Sequence, residues 1–244
     1  MQDLVQPKLS RSERRHQWKN RWQRPEEADL PNRDSSEKIA NVCLALPIHG
    51  DGVREMWFSI LETILNSPGR FNLSYAVITD QPIVEAREQL VKVFLQGNAD
   101  YLLFVDSDMM WGKDAIFKLL EADKDIITGL ITNRRQGQTQ RAICYVRADD
   151  VVVWIKDLPS ETELFQIDAC GTAFMLIKRK VLETLGYDCF DRIIVDGKKS
   201  GFQEDVNFCI RAKDKGFQIW CDPQVKVGHV GRYIYTDSDV RSHI

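Results

Sequence analysis

An uninterrupted apolar run that ends in two aspartates is the most constraining feature of this sequence. Residues Tyr101 to Val105 have the length of a buried strand and are too few to span a membrane. Asp106 and Asp108 follow directly. Residues two apart on an extended backbone point to the same side, and ligands of open α/β sheets bind at the carboxyl ends of the strands. Both carboxylates are therefore expected to face one ligand.

The aspartate pair has two interpretations. Neighbouring carboxylates repel each other unless a cation lies between them or one takes up a proton. A divalent metal that also binds substrate phosphates would supply that cation. The alternative is a strand-end turn with solvated side chains, because Asp is common in turns. Asp-x-Asp alone is frequent by chance, so the rest of the sequence has to decide.

Composition excludes several classes of protein. A chain of 244 residues that is 43% hydrophobic fits one large domain, with or without a tail. A net charge of −3 is not typical of a nucleic-acid-binding protein. The six cysteines show no Cys-x-x-Cys spacing, which argues against zinc and against a disulfide framework. No apolar leader and no membrane-length run is present, so the sequence predicts a soluble, cytoplasmic protein.

Residues 1–38 form a polar, basic segment with a different composition. Trp18 and Trp22 are four apart and would share a helix face, among many arginines and lysines. One interpretation is a loosely docked arm that its tryptophans attach to the domain. The other is a basic aromatic arm that contacts nucleic acid or an anionic surface. Either way, the globular domain is predicted to cover residues 39–244.

Predicted strands and helices alternate in the first half of that domain. Strands are predicted at 41–47, 73–79, 101–105 and 125–130, and helices at 53–66, 82–97 and 112–121. This order predicts a parallel sheet with right-handed crossovers. There is no Gly-x-Gly-x-x-Gly and no Gly-Lys-Ser/Thr loop, so a phosphate ligand would need a metal and side chains.

The second half is less regular. Strands are predicted at 142–146, 151–155, 165–168, 169–177, 217–221 and 225–227, and helices at 179–185 and 204–215.

Several fragments occur in a characteristic order. The first strand ends in Pro47, and Asp106-Ser107-Asp108 follows the third. The segment Gly171–Arg179 comes next, then Gln203–Phe208 at a helix start, then His229 after a short strand. From about residue 39 to 229, this set resembles the GT-A fold glycosyltransferases, in particular the small family-2-like enzymes of bacteria and phages.

The resemblance implies a Rossmann-like α/β fold whose mixed central sheet has helices on both faces. Residues 39–132 would form the nucleotide-sugar-binding half and residues 133–244 the acceptor half. Two motifs depart from the commonest family pattern. Pro47-Ile48-His49 stands where Pro-Thr-Tyr-Asn is typical, and Thr79-Asp80-Gln81 replaces a double Asp.

The resemblance assigns Asp106 and Asp108 to a Mn²⁺ or Mg²⁺ ion that bridges the donor phosphates, with His229 as third ligand. A hard cation takes carboxylate oxygens and neutralises charge on the leaving nucleoside diphosphate. Of these two ions, Mn²⁺ accepts an imidazole ligand such as His229 more readily than Mg²⁺ does. The alternative for His229 is a histidine in a surface turn.

The resemblance makes Asp205 the general base that deprotonates the acceptor hydroxyl in an inverting transfer, with Glu204 as the alternative base. Both residues begin a helix, where a carboxylate is also favoured by the helix dipole alone. In a retaining enzyme neither residue would act in this way.

The remaining candidates are assigned to substrate contacts. Each also has an ordinary structural explanation, such as a turn, a solvated charge or core packing. The nucleotide side comprises Pro47, His49, Asp80, Arg87 and Ser107, and the sugar side comprises Trp111, Gly171 and Thr172.

The sequence thus predicts a metal-dependent hexosyl- or pentosyltransferase with a UDP-sugar donor. The acceptor would be a hydroxyl on a glycan, a small molecule or DNA. Three alternatives remain open. They are a retaining enzyme of the same fold, a non-catalytic domain that binds sugar nucleotides or nucleic acid, and a phage-type enzyme that glycosylates modified DNA bases.

Overall fold

The computed structural model describes residues 39–133, 142–148, 151–191, 194–195, 198–199, 203–231 and 234–235. The chain divides into two units, residues 1–37 and 38–244. The predicted basic arm, residues 1–38, lies outside the described residues.

A mixed sheet of nine strands forms the centre of the domain. Its main path runs β14-β13-β5-β10-β3-β1-β2, and β4 and β8 pair with β13 outside that path. These strands are β1 (Ala40–Ile48), β2 (Phe71–Thr79), β3 (Tyr101–Val105), β4 (Met109–Trp111), β5 (Ile126–Ile131), β8 (Phe165–Ile167), β10 (Phe174–Lys178), β13 (Ile219–Val230) and β14 (Ile234–Tyr235). Smaller sheets contain β6 (Cys144–Ala148), β7 (Val151–Trp154) and β9 (Ala169–Cys170), and the pair β11 (Ile194–Val195) and β12 (Lys198–Lys199).

Five helices in the described part of the chain cover both faces of the sheet. They are α1 (Arg54–Asn66), α2 (Ile83–Gln96), α3 (Ala115–Glu121), α4 (Arg179–Leu185) and α5 (Glu204–Asp214). Alternate residues of β1 point to opposite faces, as the strand period requires. Val42 and Leu44 join the core layer that contains α1 and α3, whereas Cys43 and Ala45 join the layer that contains α2, α4 and α5. The predicted fold class is confirmed.

The strand β10 makes the sheet mixed. It lies between β3 and β5 and runs antiparallel to both, while β1, β2 and β3 are mutually parallel and β13 is parallel to β5. The prediction of a parallel sheet therefore holds for the neighbours of β1 but not across the whole sheet. Residues 39–132 and 133–244 contribute strands to one and the same sheet.

Three local features differ from the predicted elements. The short strand β4, which follows the aspartate pair, was not predicted. The predicted strand 169–177 is interrupted at Gly171–Ala173, so that β9 and β10 belong to different sheets. The two predicted strands 217–221 and 225–227 are one strand, β13, with an irregularity between Asp222 and Lys226.

The irregularity in β13 lies where Gly129 of β5 meets it. A Cβ atom at Gly129 would lie 2.7 Å from the Val225 carbonyl oxygen and 2.8 Å from Val225 Cγ1. Only glycine permits the two backbones to approach so closely. None of the described helices has both the length and the apolar character needed to cross a bilayer.

Candidate active site

The carboxyl ends of the parallel strands bring most of the predicted site residues to one edge of the sheet. β1 ends before His49, β2 before Asp80 and β3 before Asp106. The loop that enters β10 reaches the same edge, where the Asp106 amide donates a hydrogen bond to the Ala173 carbonyl at 3.0 Å. This is the edge at which open α/β sheets bind ligands.

The strand β4 places Asp108 beside His229. It pairs antiparallel with β13, with Met109 opposite His229, and the Val230 amide donates to the Asp108 carbonyl at 2.7 Å. Asp108 Oδ2 consequently lies 3.3 Å from His229 Nε2. Both side chains are largely buried, with 22% and 12% of their surfaces exposed.

The other ring nitrogen of His229 fixes its orientation. Nδ1 lies 2.9 Å from the Thr132 carbonyl oxygen. A carbonyl only accepts, so Nδ1 carries a proton, and in the neutral ring the Nε2 lone pair then points at Asp108. Two acceptors at this distance require a proton or a cation between them. A backbone carbonyl that orients a histidine in this way is typical of metal-binding histidines.

Within the described residues, no three His, Cys, Asp or Glu side chains lie together in a way that would hold a metal on their own. Asp108 and His229 form a pair, so a metal ion there would need its remaining ligands from substrate oxygens and water. Asp106 has a different neighbour.

A buried arginine binds Asp106. Arg87 Nη2 donates to Asp106 Oδ1 at 3.1 Å and to Oδ2 at 3.3 Å, while Nη1 donates to Glu204 Oε1. The Arg87 side chain is only 4% exposed, and its guanidinium lies 5.9 Å from the centroid of the Phe190 ring. One cation thus connects the end of β3 to the start of α5.

Asp205 completes this cluster. Burial raises the pKa of its carboxyl to about 6, the charge of Glu204 adds to this effect, and Arg87 opposes it. Asp205 Oδ1 accepts a hydrogen bond from the Val206 amide at 2.7 Å. A Cβ atom at Gly171 would lie 3.6 Å from Asp205 Oδ2 and 3.1 Å from Ile143 Cγ2, so the backbone at Gly171 packs closely against the carboxylate.

The loops after β1 and β2 are connected and open to solvent. The Gly50 amide donates to Asp80 Oδ1 at 3.0 Å, and His49 Nδ1 lies 3.7 Å from the same oxygen. The His49 and Asp80 side chains are 93% and 66% exposed. The first of these loops reaches the aspartate motif, because the Val53 amide donates to the Ser107 carbonyl at 2.8 Å.

Three residues predicted to contact the substrate are buried. Pro47 lies inside β1, and Arg87 is buried and ion-paired. Trp111 is 2% exposed, its Nε1 donates to Thr63 Oγ1 at 3.0 Å, and its ring packs 5.2 Å from the Phe174 ring. It is a core residue that connects α1 to β4, and it offers no face on which a sugar could stack.

Thr172 is 1% exposed, and its hydroxyl has no hydrogen-bond partner among the described residues. Two residues of the site were not singled out from the sequence. Thr132 follows a predicted strand, so its place at this edge was accessible to sequence reasoning, but the contact of its carbonyl with His229 was not. Phe190 lies in a segment without a periodic pattern, and nothing in the sequence indicated that it would pack behind Arg87.

The mixed central sheet with helices on both faces is a GT-A type, Rossmann-like α/β fold, and sequence comparison specifies the family. The family model described as "Glycosyltransferase like family 2" matches residues 58–239, and the chain belongs to that family. Membership supports glycosyl transfer as the general class of chemistry, with a nucleotide-sugar donor and an acceptor. A comparison with curated protein sequences finds no match at the threshold applied.

A solved structure is similar in fold. The crystal structure of A197 from STIV has a TM-score of 0.54 and 17% sequence identity over 79% of this chain and 86% of that one. At this level of identity, the similarity concerns the fold alone.

Proposed function

We propose that this protein transfers a hexose or pentose from a UDP-linked donor to an acceptor hydroxyl, with inversion at the anomeric carbon. Family membership supports the class of reaction. The observation that carries the mechanism is the environment of Asp205. Its pKa is raised to about 6, and it lies in an ionic cluster with the first aspartate of the donor-side motif. A general base works best when its pKa lies near the working pH.

In the proposed reaction, Asp205 takes the proton from the acceptor hydroxyl. The acceptor oxygen forms a bond to the anomeric carbon while the bond to the diphosphate oxygen breaks. The products are the glycoside, the nucleoside diphosphate and a protonated Asp205.

The metal would be Mn²⁺ or Mg²⁺ held by Asp108 and His229. When bound, it neutralises the charge on the leaving diphosphate. The facing acceptors Asp108 Oδ2 and His229 Nε2 support this assignment, and the imidazole favours Mn²⁺. Asp106 would remain paired with Arg87 and orient the loop that contains Asp108. His49 and Asp80, exposed at the ends of β1 and β2, are proposed to contact the nucleoside.

The decisive experiment measures nucleotide release from a panel of UDP-, GDP- and CMP-linked hexoses and pentoses, with and without Mn²⁺. The expected result is Mn²⁺-dependent turnover that Asp108→Asn and Asp205→Asn each reduce about a hundredfold or more. Asp123→Asn is the matched control, because Asp123 pairs with Lys178 at the opposite edge of the sheet.

The outcomes separate the possible functions. If sugar nucleotides bind without turnover, the protein is a non-catalytic binding domain. Turnover that survives in both site variants would refute the proposed site, and analysis of the anomeric configuration of the product would distinguish inversion from retention.

A further inference from the structure

We infer that Arg87 is a positioning residue that joins the donor end and the acceptor end of the candidate site. This inference rests on the proposed function for its catalytic meaning, but its structural part can be tested separately. The two carboxylates that Arg87 binds are distant in the sequence, 19 residues away at Asp106 and 117 residues away at Glu204. One belongs to the donor-side motif and the other directly precedes Asp205.

The contacts define what the guanidinium does. Nη2 spans both oxygens of Asp106, and Nη1 meets Glu204. A planar fork with two separated nitrogens can hold two carboxylates at a fixed angle, whereas a lysine ammonium is a point charge. The position of α5 relative to the end of β3 is therefore coupled to this one side chain.

The apolar surroundings of Arg87 mean that loss of its ion pairs would destabilise the protein. The guanidinium lies against Phe190, which packs edge-on against Phe104 and stacks on Phe208 at a centroid distance of 4.8 Å. Breaking a buried ion pair leaves an uncompensated charge. Burial tends to lower the pKa of Arg87, but the charges of Asp106, Glu204 and Asp205 raise it overall.

Arg87 also acts on the proposed base through its charge. The charged groups that face Asp205 are Glu204 on its own helix, Arg87 from α2 and Asp106 from the end of β3. Arg87 is the one cation among them and lowers the pKa of Asp205. Replacing Arg87 by a neutral residue removes this cation, so the Asp205 carboxyl should hold its proton to higher pH. This consequence is specific, because loss of a merely structural contact would not change it.

The test follows the Asp205 carboxyl directly in the full-length chain. Protein labelled with ¹³C at the aspartate carboxyl carbons is titrated by NMR, and Asp205→Asn identifies the signal. Arg87→Gln should move the Asp205 titration to higher pH. Arg70→Gln is the matched control, because Arg70 is also a partly buried arginine with an ion pair, to Asp114 at 2.8 Å, and lies 4.8 Å from the Phe117 ring centroid. It should leave the titration unchanged.

Arg87→Lys provides a variant that keeps the positive charge in case Arg87→Gln does not fold. An ammonium lacks the two separated nitrogens that fix the angle between Asp106 and Glu204, so we expect transfer to fall roughly tenfold to a hundredfold in kcat, with the donor KM changed much less. The inference is overturned if Arg87→Gln leaves the Asp205 titration unchanged, or if Arg87→Lys keeps the turnover and pH profile of the unaltered protein.

The NMR arm separates this inference from the proposed function. If the unaltered protein transfers no sugar, the proposed function fails, while the Asp205 titration still shows whether Arg87 controls the cluster. If sugar transfer occurs and the Asp205 titration is the same in Arg87→Gln as in the unaltered protein, only the inference about Arg87 fails.

Discussion

Replacing Asp205 by asparagine should stabilise the protein while removing its proposed base. The pKa of Asp205 is raised from 3.8 to about 6, so the folded state holds this proton more tightly than the unfolded chain does. Stability is then lost as the pH rises through about 6, because the ionised form is disfavoured in its buried, anionic surroundings. Asparagine has the same size and can still accept the hydrogen bond of the Val206 amide, but it never ionises.

The magnitude follows from the pKa shift. Each pKa unit corresponds to about 1.4 kcal/mol, which gives an upper value of about 3 kcal/mol at pH 8. Solvent reaches this half-buried carboxyl, so we expect a gain of roughly 1–3 kcal/mol in the free energy of unfolding. For a domain of this size, that gain raises the melting temperature by roughly 3–8 °C.

The assay is urea unfolding of the unaltered protein and Asp205→Asn at pH 5 and pH 8. The stability difference should be full at pH 8 and about half as large at pH 5, because at pH 5 the carboxyl is ionised in the unfolded chain but largely protonated in the folded protein. Glu204→Gln should have the opposite sign and cost roughly 2–4 kcal/mol, because it weakens an ion pair of the buried Arg87. If Asp205→Asn is no more stable than the unaltered protein at pH 8, or if its advantage is equal at both pH values, the electrostatic account of the site is wrong.

Three further predictions concern activity and packing. The rate of sugar transfer should fall as the pH drops below about 6, because protonated Asp205 cannot accept a proton, and a rate that stays constant down to pH 5 would exclude it as the base. Gly171→Ala should lower kcat roughly tenfold with a small change in melting temperature. The reason is that the added Cβ lies 3.6 Å from Asp205 Oδ2 and 3.1 Å from Ile143 Cγ2. Enzyme kinetics and thermal unfolding together test this prediction. Gly129→Ala should cost roughly 2–3 kcal/mol in urea unfolding, because its Cβ would lie 2.7 Å from a backbone oxygen of β13. Gly112→Ala is the control for both glycine variants, since a Cβ atom there meets nothing within 4 Å, and an equal effect at Gly112 would contradict either prediction.

The sequence predicted the local elements well because their periodic patterns are strong. The run Tyr101–Val105 forms a strand, and the helix predicted at 179–185 has the same bounds in the structure. The insertion of β10 between β3 and β5 was not predictable in the same way, since strand order is set by the packing of distant segments. The short strand β4 also depends on its partner β13, because three residues carry no periodic signal.

The sequence indicated which residues lie near the candidate site, but it did not indicate the contacts that hold them there. Asp108 and His229 do lie together, but the link depends on β4 and on the Thr132 carbonyl. The burial of Arg87 could have been predicted from its position in the sequence. It occupies the apolar stripe of α2, with Leu90 and Phe94 at the following positions of that face, where a solvated charge would not be placed. The burial of the Trp111 ring was not predictable, because its place after the aspartate motif says nothing about which way the ring points.

The position of β10 has a consequence for the newly synthesised chain. The strands β3 and β5 are not neighbours, and both pair with β10, which ends at Lys178. Until the ribosome has made and released that segment, both strands have an unsatisfied edge made of apolar residues, which is the kind of edge that pairs wrongly with other chains. A chain that stops between β5 and β10 would contain the whole donor-side aspartate motif, yet it would be prone to aggregate. The acceptor-side strand β10 is thus needed to join β3 and β5 in one continuous sheet.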